Sequence, residues 1–276
     1  MANVKYGANA NFAPNVEAAN ILRDLEKFAV LEKDCTKEFS GDIKLGSRVE
    51  ILGATRPTIS DYTGDAINGP EKIDGTKIIM DIDQAKYYNY GIDDTDRPGL
   101  KNGAENVMRQ EAAAGLAEEY ESYIGSMAKN SGNKAISTAF SSAADLKAAV
   151  DKGLVWLRNN SVPMTQRVVI EMTPDFYDMF ENSVIELKTQ NDELISAGIM
   201  GQYKSAYVKM SNQLYNNGTD DFLMIRTDRA IAAGKQIEKV EKYRPEAYFQ
   251  DAVKGLMVFG AKVVRPKELY TIKAHK

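Results

Sequence analysis

Lys77-Ile-Ile-Met-Asp-Ile-Asp-Gln-Ala-Lys-Tyr-Tyr-Asn-Tyr-Gly-Ile92 is the stretch from which the fold is read. Ile78, Met80, Ile82, Tyr88, Tyr90 and Ile92 fall on one side of a period of two, and Asp81, Asp83 and Asn89 fall on the other. That is the pattern of a half-buried strand. Upstream, Ile43, Leu45, Ser47, Val49 and Ile51 share one face while Lys44, Arg48 and Glu50 take the other, which predicts a second strand. Between the two, Gly53, Pro57, Gly64, Gly69, Pro70 and Gly75 make a turn-rich segment. The two runs read together as one long two-stranded hairpin. Such a ribbon is marginal alone in water, so something else is expected to cover its apolar face.

The pattern changes on either side. Downstream, Asp93-Asp-Thr-Asp-Arg-Pro-Gly99 breaks the strand, and from Gly103 to Lys129 the chain is rich in Ala and Glu. Met108, Ala112, Leu116, Tyr120, Tyr123 and Met127 recur every three or four residues, predicting one buried stripe along about 40 Å of helix. Upstream, residues 1–14 show no periodicity and read as an arm. Asn15 can cap a helix carrying Ala18, Leu22, Leu25 and Phe28 through about Lys33, with little local sequence to pack on.

The rest alternates. Ser131 to Ser141 reads as a connector, followed by a helix from Ala143 to Asn159 with Leu146, Val150, Leu154 and Leu157 on one side. Val168-Val-Ile170 is a buried-type strand, and Thr173-Pro-Asp175 opens another helix. Further strands are expected at Ala206 to Met210, Phe222 to Arg226 and Leu256 to Arg265. The fold class is α+β.

Composition removes several functions. With 276 residues, 43% of them hydrophobic, the chain can build a real core. A formal charge of −4 gives no bulk attraction to nucleic acid or anionic membrane. No apolar stretch approaches the ~20 residues of a membrane span, and the start lacks an export signature. One cysteine, Cys35, offers no thiolate cluster and reads as a small packed or surface residue. The single histidine, His275, sits beside the C-terminus, where chains fray, so triads built on a histidine base are not expected.

The remaining polar groups have structural readings. Asp93, Asp94 and Asp96 could hold a hard cation, but their spacing lacks the later bidentate Glu of a calcium loop, and turn formation accounts for them. Glu118, Glu119 and Glu121 read as a solvated helix face. Gly198-Ile-Met-Gly201 lacks the Lys-Ser/Thr of a phosphate loop and reads as a turn or tight contact. Lys86, Tyr87, Tyr88 and Tyr90 fit a half-buried strand better than a base-stacking platform. No catalytic, cofactor or metal constellation is expected.

In order and in several stretches the chain resembles the major capsid proteins of tailed bacteriophages with the Hong Kong 97-like fold. Phe39-Ser-Gly-Asp-Ile-Lys-Leu-Gly-Ser-Arg-Val-Glu-Ile51 resembles the entry into that family's extended loop, and Thr58-Ile-Ser-Asp-Tyr62 its outer part. Residues 78–90 resemble the returning strand, and Gly103 to Lys129 the spine helix. Val169-Ile-Glu-Met-Thr-Pro-Asp-Phe-Tyr177 and Gly198-Ile-Met-Gly-Gln-Tyr203 look like parts of the axial domain. Tyr243 to Pro266 looks like closing strands of the peripheral domain.

The resemblance implies an N-terminal arm over 1–40, an extended loop over 41–96, a spine helix with peripheral domain over 97–137, an axial domain over 138–236 and closing peripheral strands over 237–276. It implies a non-enzymatic shell subunit, associating with itself as pentamers and hexamers around double-stranded DNA without sequence-specific binding. Separate scaffolding, portal and decoration proteins are implied as partners, with assembly in a bacterial cytoplasm and no membrane. Intersubunit contacts are implied at Arg56, Thr58, Ile59, Asp61, Tyr62 and Lys72 on the loop and at Leu22, Leu25 and Phe28 on the arm. Axial contacts are implied at Gly198, Ile199, Met200, Gly201 and Tyr203. Some relatives join a loop lysine to a neighbour's asparagine, but no partner for Lys72 or Lys77 can be placed, and that chemistry is not carried over. Two other readings stand beside this one: an encapsulin-like compartment enclosing protein, and a metal-dependent α+β enzyme using Asp93, Asp94 and Asp96.

Overall fold

The computed structural model describes residues 21, 29–37, 48–54, 59, 61, 69, 75–93, 104–183 and 199–276. The alternation flanking the turn-rich segment produces a ribbon. Strand β1 (Arg48–Ala54) runs antiparallel to β2 (Gly75–Asp81), with Val49 opposite Met80 and Ile51 opposite Ile78. The returning run does not stay in that ribbon. After Ile82 and Asp83 it becomes β3 (Gln84–Asp93), which pairs instead with β10 (Gln250–Val263). β10 also pairs with β9 (Ile231–Tyr243), completing a three-stranded antiparallel sheet. The single long hairpin read from the sequence is therefore two successive pairings. At the handover the Asp81 carbonyl comes so near Gly260 that a Cβ there would lie 2.5 Å from its oxygen, and glycine admits the crossing.

The ribbon's base is covered by its own subunit. Ile51, Met80 and Ile82 bury against Ala232 and Val258, with Val49, Ile78 and Leu256 around them. Over these described residues, the cover that the ribbon's apolar face needs comes from the same chain. At roughly 1.5–3 kcal/mol per buried large apolar side chain, these contacts fix the base without help.

The Ala- and Glu-rich run forms helix α1 (Ala104–Ser126), ending in a 3-10 turn at Met127–Asn130. Its buried side is Ala113, Leu116, Ala117, Tyr120, Ile124 and Met127. It lies against the three-stranded sheet, where Phe259 meets the rings of Tyr120 and Tyr123 edge-on at 5.3 and 5.5 Å.

The second sheet has the order β4 (Ser137–Ala139), β11 (Leu269–His275), β8 (Asp221–Thr227), β5 (Val168–Met172), β7 (Ala206–Met210) and β6 (Ile199–Tyr203). Helix α2 (Ala143–Asn159) begins where the Ser142 side chain accepts the Ala144 N–H, and α3 (Pro174–Ser183) begins on its proline. Gly153 of α2 lies directly on Ile225 and Tyr270, so α2 takes one face of this sheet. Alternation then sends Arg226, the next residue, to the opposite face, where β5 and β7 present Glu171 and Lys209 in register.

The chain passes between the two sheets more than once. β9 runs across the position expected to divide axial from closing peripheral segments at 236/237, and β11 joins the six-stranded sheet. The helix expected to run to Lys33 is absent from 29–37, whose only helical turn is Glu32–Asp34. Among the described residues no helix is long and apolar enough to cross a membrane.

Candidate functional site

The polar face of the six-stranded sheet is not solvated. It holds the segment 29–37, the point where the N-terminal portion meets the rest of the chain. Ala29, Leu31 and Cys35 are buried there, and so are Glu32 and Asp34. Apart from a bridge between Thr36 and Ala232, the segment joins no sheet, so its backbone polar groups need other partners.

Buried charges supply them. Glu121 of α1, only 3% exposed, accepts the N–H groups of Val30, Leu31 and Glu32 at 3.2, 2.6 and 2.9 Å. Arg226 donates through Nη2 to the Leu31 carbonyl at 2.8 Å, through Nη1 to the Asp34 carbonyl, and to Glu171 in a two-pronged pair at 2.9 and 2.6 Å. Lys209 donates to the Val30 carbonyl at 3.1 Å and meets Asp34 at 2.5 Å. Arg167 reaches the same carboxylate at 3.0 Å, and Lys235 from β9 pairs with Glu32. Side chains from α1, β5, β7, β8 and β9 thus clamp one short strap.

Burial sets the protonation of this cluster. It pushes the Glu121 carboxyl up, against the three N–H groups that favour the charged form. Burial would lower Arg226, but the Glu171 carboxylate beside it overrides that and holds it well above the usual guanidinium range. Burial carries the Cys35 thiol up to about 12, despite Arg226 nearby, leaving a poor nucleophile. The reading of Glu121 as a solvated residue is corrected. It lies four residues after Ala117 and three before Ile124, both buried, and so falls on the inward stripe of α1.

One cluster has the composition of a hydrolytic site without its geometry. Ser137 donates to Asp220 at 2.5 Å, and His275 Nδ1 lies 2.9 Å from the same carboxylate oxygen and 3.2 Å from Ser137 Oγ. Serine and carboxylate meet the same ring nitrogen, so the imidazole cannot relay a proton from one to the other. The cluster ties β4 to β11, where the His275 carbonyl also accepts the Phe140 N–H at 2.9 Å. The expectation of a frayed C-terminus fails because β11 is an interior strand of the sheet.

The expected contact residues fall into three groups. Ile59 and Asp61 are exposed, Ile59 at 88%, whereas Arg56, Thr58, Tyr62 and Lys72 lie outside the described residues, as do Leu22, Leu25 and Phe28. Gly198 is also outside them, while Ile199, Met200 and Gly201 form β6, an edge strand and not a turn. Tyr203 faces inward: its ring packs edge-on to Phe180 at 5.2 Å and its hydroxyl donates to Asp151 at 2.7 Å. It serves the core. Asp93 ends β3, and Asp94 and Asp96 lie outside the described residues. Sequence reasoning missed other exposed apolar groups, Ile136 ahead of β4 and Tyr248 with Phe249 between β9 and β10. An adjacent aromatic pair in a loop was the available signal.

No protein-family model matches the chain, and no curated protein does. Solved structures match it along nearly its whole length. A chain from Mycobacterium phage Che8 is 26% identical, with a TM-score of 0.69 over 88% of this chain and 90% of that one. The capsid of Cyanophage P-SCSP1u gives 0.67 at 14% identity, covering 90% and 88%. The virus-like particle from Pyrococcus furiosus gives 0.60 at 12%, covering 94% and 98%. The fold is the Hong Kong 97-like fold of phage major capsid proteins.

Proposed function

We propose that this chain is the major capsid protein of a tailed bacteriophage, closing through pentamers and hexamers into an icosahedral shell around double-stranded DNA. The observation that carries this reading is the end-to-end likeness to the Che8 phage chain, 88% of one and 90% of the other. A shared domain inside a larger enzyme would cover one of the two chains only in part.

The work of such a subunit is association. The ribbon's base is rooted in its own body, and beyond it Ile59, 88% exposed, offers apolar surface to another copy. Many modest contacts per subunit then close a shell, because each contact after the first is intramolecular. A net charge of −4 suits a container that holds DNA without gripping it, since phosphate binding scales with the cations offered. In this reading assembly takes place in the bacterial cytoplasm, with scaffolding, portal and decoration proteins supplied separately.

Light scattering and negative-stain imaging of the purified chain test the proposal. Closed megadalton particles are expected, and a monomer stable across concentrations overturns it. The likeness to the Pyrococcus furiosus particle supports a second reading, an encapsulin-like shell around protein, at a lower TM-score. Nuclease-protected DNA within particles from infected cells separates the two.

A further inference from the structure

The strap at 29–37 differs from an ordinary loop in how its backbone is satisfied. Three successive N–H groups converge on one buried carboxylate, Glu121, and three carbonyls are met by Lys209 and Arg226, both fully buried. Lifting the strap away would strand Glu121 without acceptor duty and leave Lys209 without Asp34. It would also strip Arg226 of every partner except Glu171. These bonds are made by one short segment and are lost together, and Ala29, Leu31 and Cys35 leave the core with them, so no part of the strap lifts cheaply by itself. The strap is also pinned at its downstream end. Thr36 takes the Ile231 carbonyl at 2.9 Å through its N–H and the Asp228 carbonyl at 3.0 Å through its hydroxyl.

We infer that residues 29–37 are a locked strap that opens only when the body itself unfolds, with Glu121 as its positioning residue. The segment 29–37 thus belongs to the body, as does Ile21, which is buried in the same core at 1% exposure. Residues 29–37 therefore stay fixed to the body whether or not the chain assembles.

Hydrogen exchange on the intact chain, read by mass spectrometry, tests this directly. The segment 29–37 is expected to be slowed by more than about a thousandfold, and to lose protection at the same urea concentration as β5 and β8. Exchange of 29–37 well before those strands overturns the inference. So does protection found only in assembled particles. In Glu121→Gln, which keeps one acceptor oxygen but adds donors facing N–H groups, protection of 29–37 is expected to fall about ten- to a hundredfold with β5 unchanged. An unchanged strap in that variant removes Glu121 from the role. Should Glu121→Gln not fold, the exchange of the native chain still decides whether the strap is locked. The measurement does not require shells to form, so failure of the capsid reading and failure of the lock are separately visible.

Discussion

Two segments are fastened to the same body by opposite physics. The ribbon's base is held by Ile51, Met80 and Ile82 on Ala232 and Val258, a contact with no polar partner to satisfy. The strap is held by Glu121, Glu171, Lys209 and Arg226, each almost wholly buried. Apolar contact is proportional to area and tolerates small adjustments in angle, whereas a buried charge demands its partner at hydrogen-bond distance. The ribbon's attachment can therefore adjust a little while remaining attached. The strap's attachment is all or none.

Breaking one charge should show the contrast most strongly. Arg226→Ala is expected to destabilise by about 3–5 kcal/mol, because Glu171 is left buried and unpaired, as measured by urea denaturation. Replacing Arg226 and Glu171 together by Met and Leu should cost less than Arg226→Ala alone, since no orphan carboxylate remains. A larger loss in the double variant would show that Arg226 matters chiefly through the strap carbonyls.

The apolar attachment should fail by smaller amounts. Met80→Ala is expected to cost roughly 2–4 kcal/mol in the same assay, through lost transfer energy and the cavity left behind. Gly260→Ala, whose new methyl would press on the Asp81 carbonyl, should cost about 1–3 kcal/mol and loosen exchange in β2 before β9.

The strap's charges also predict a pH response that the ribbon lacks. Burial raises the Glu121 carboxyl in the folded state, so its ionised form weighs against folding. Its contribution to stability should improve as pH falls through that raised value towards 4.5 and worsen as pH rises. Comparing urea midpoints of the native chain and Glu121→Gln across that range isolates this slope. Asp220 runs the other way. The Ser137 hydroxyl lowers its carboxyl, so its contribution is present above 3.8 and is lost as pH falls through the depressed value. The smallest effect should come from Lys86→Ala. Its ion pair with Glu119 at 2.7 Å is exposed on both sides, and ~0–1 kcal/mol is expected by thermal melting.

What the sequence revealed follows the same division. The ribbon and α1 were readable because apolar spacing fixes their buried sides, and the β5 to α3 passage because Pro174 marks the start of the helix. β9 was not, although it is 13 residues long. The pairing slips between Leu256 and Met257, leaving Glu238 as an extra residue. The inward face changes from Ile231, Ala233 and Ile237 to Val240, and a strict period of two does not survive the bulge. The strap was illegible for another reason. Its partners Glu121, Glu171, Lys209 and Arg226 are scattered over more than 100 positions of sequence, and a charged residue carries no local sign that its counter-charge waits on another strand. Glu121 alone could have been suspected from its phase on the helix.

The handover at Ile82 and Asp83 has a mechanical consequence. Because β2 leads through Ile82 and Asp83 into β3, and β3 runs antiparallel beside β10 from Gln84 opposite Phe259 to Asp93 opposite Gln250, a pull passed along the axis of β3 loads that whole ladder. The rungs share the load in shear instead of parting one after another like a zip. The root of the ribbon therefore meets such a pull with ten residue pairs at once.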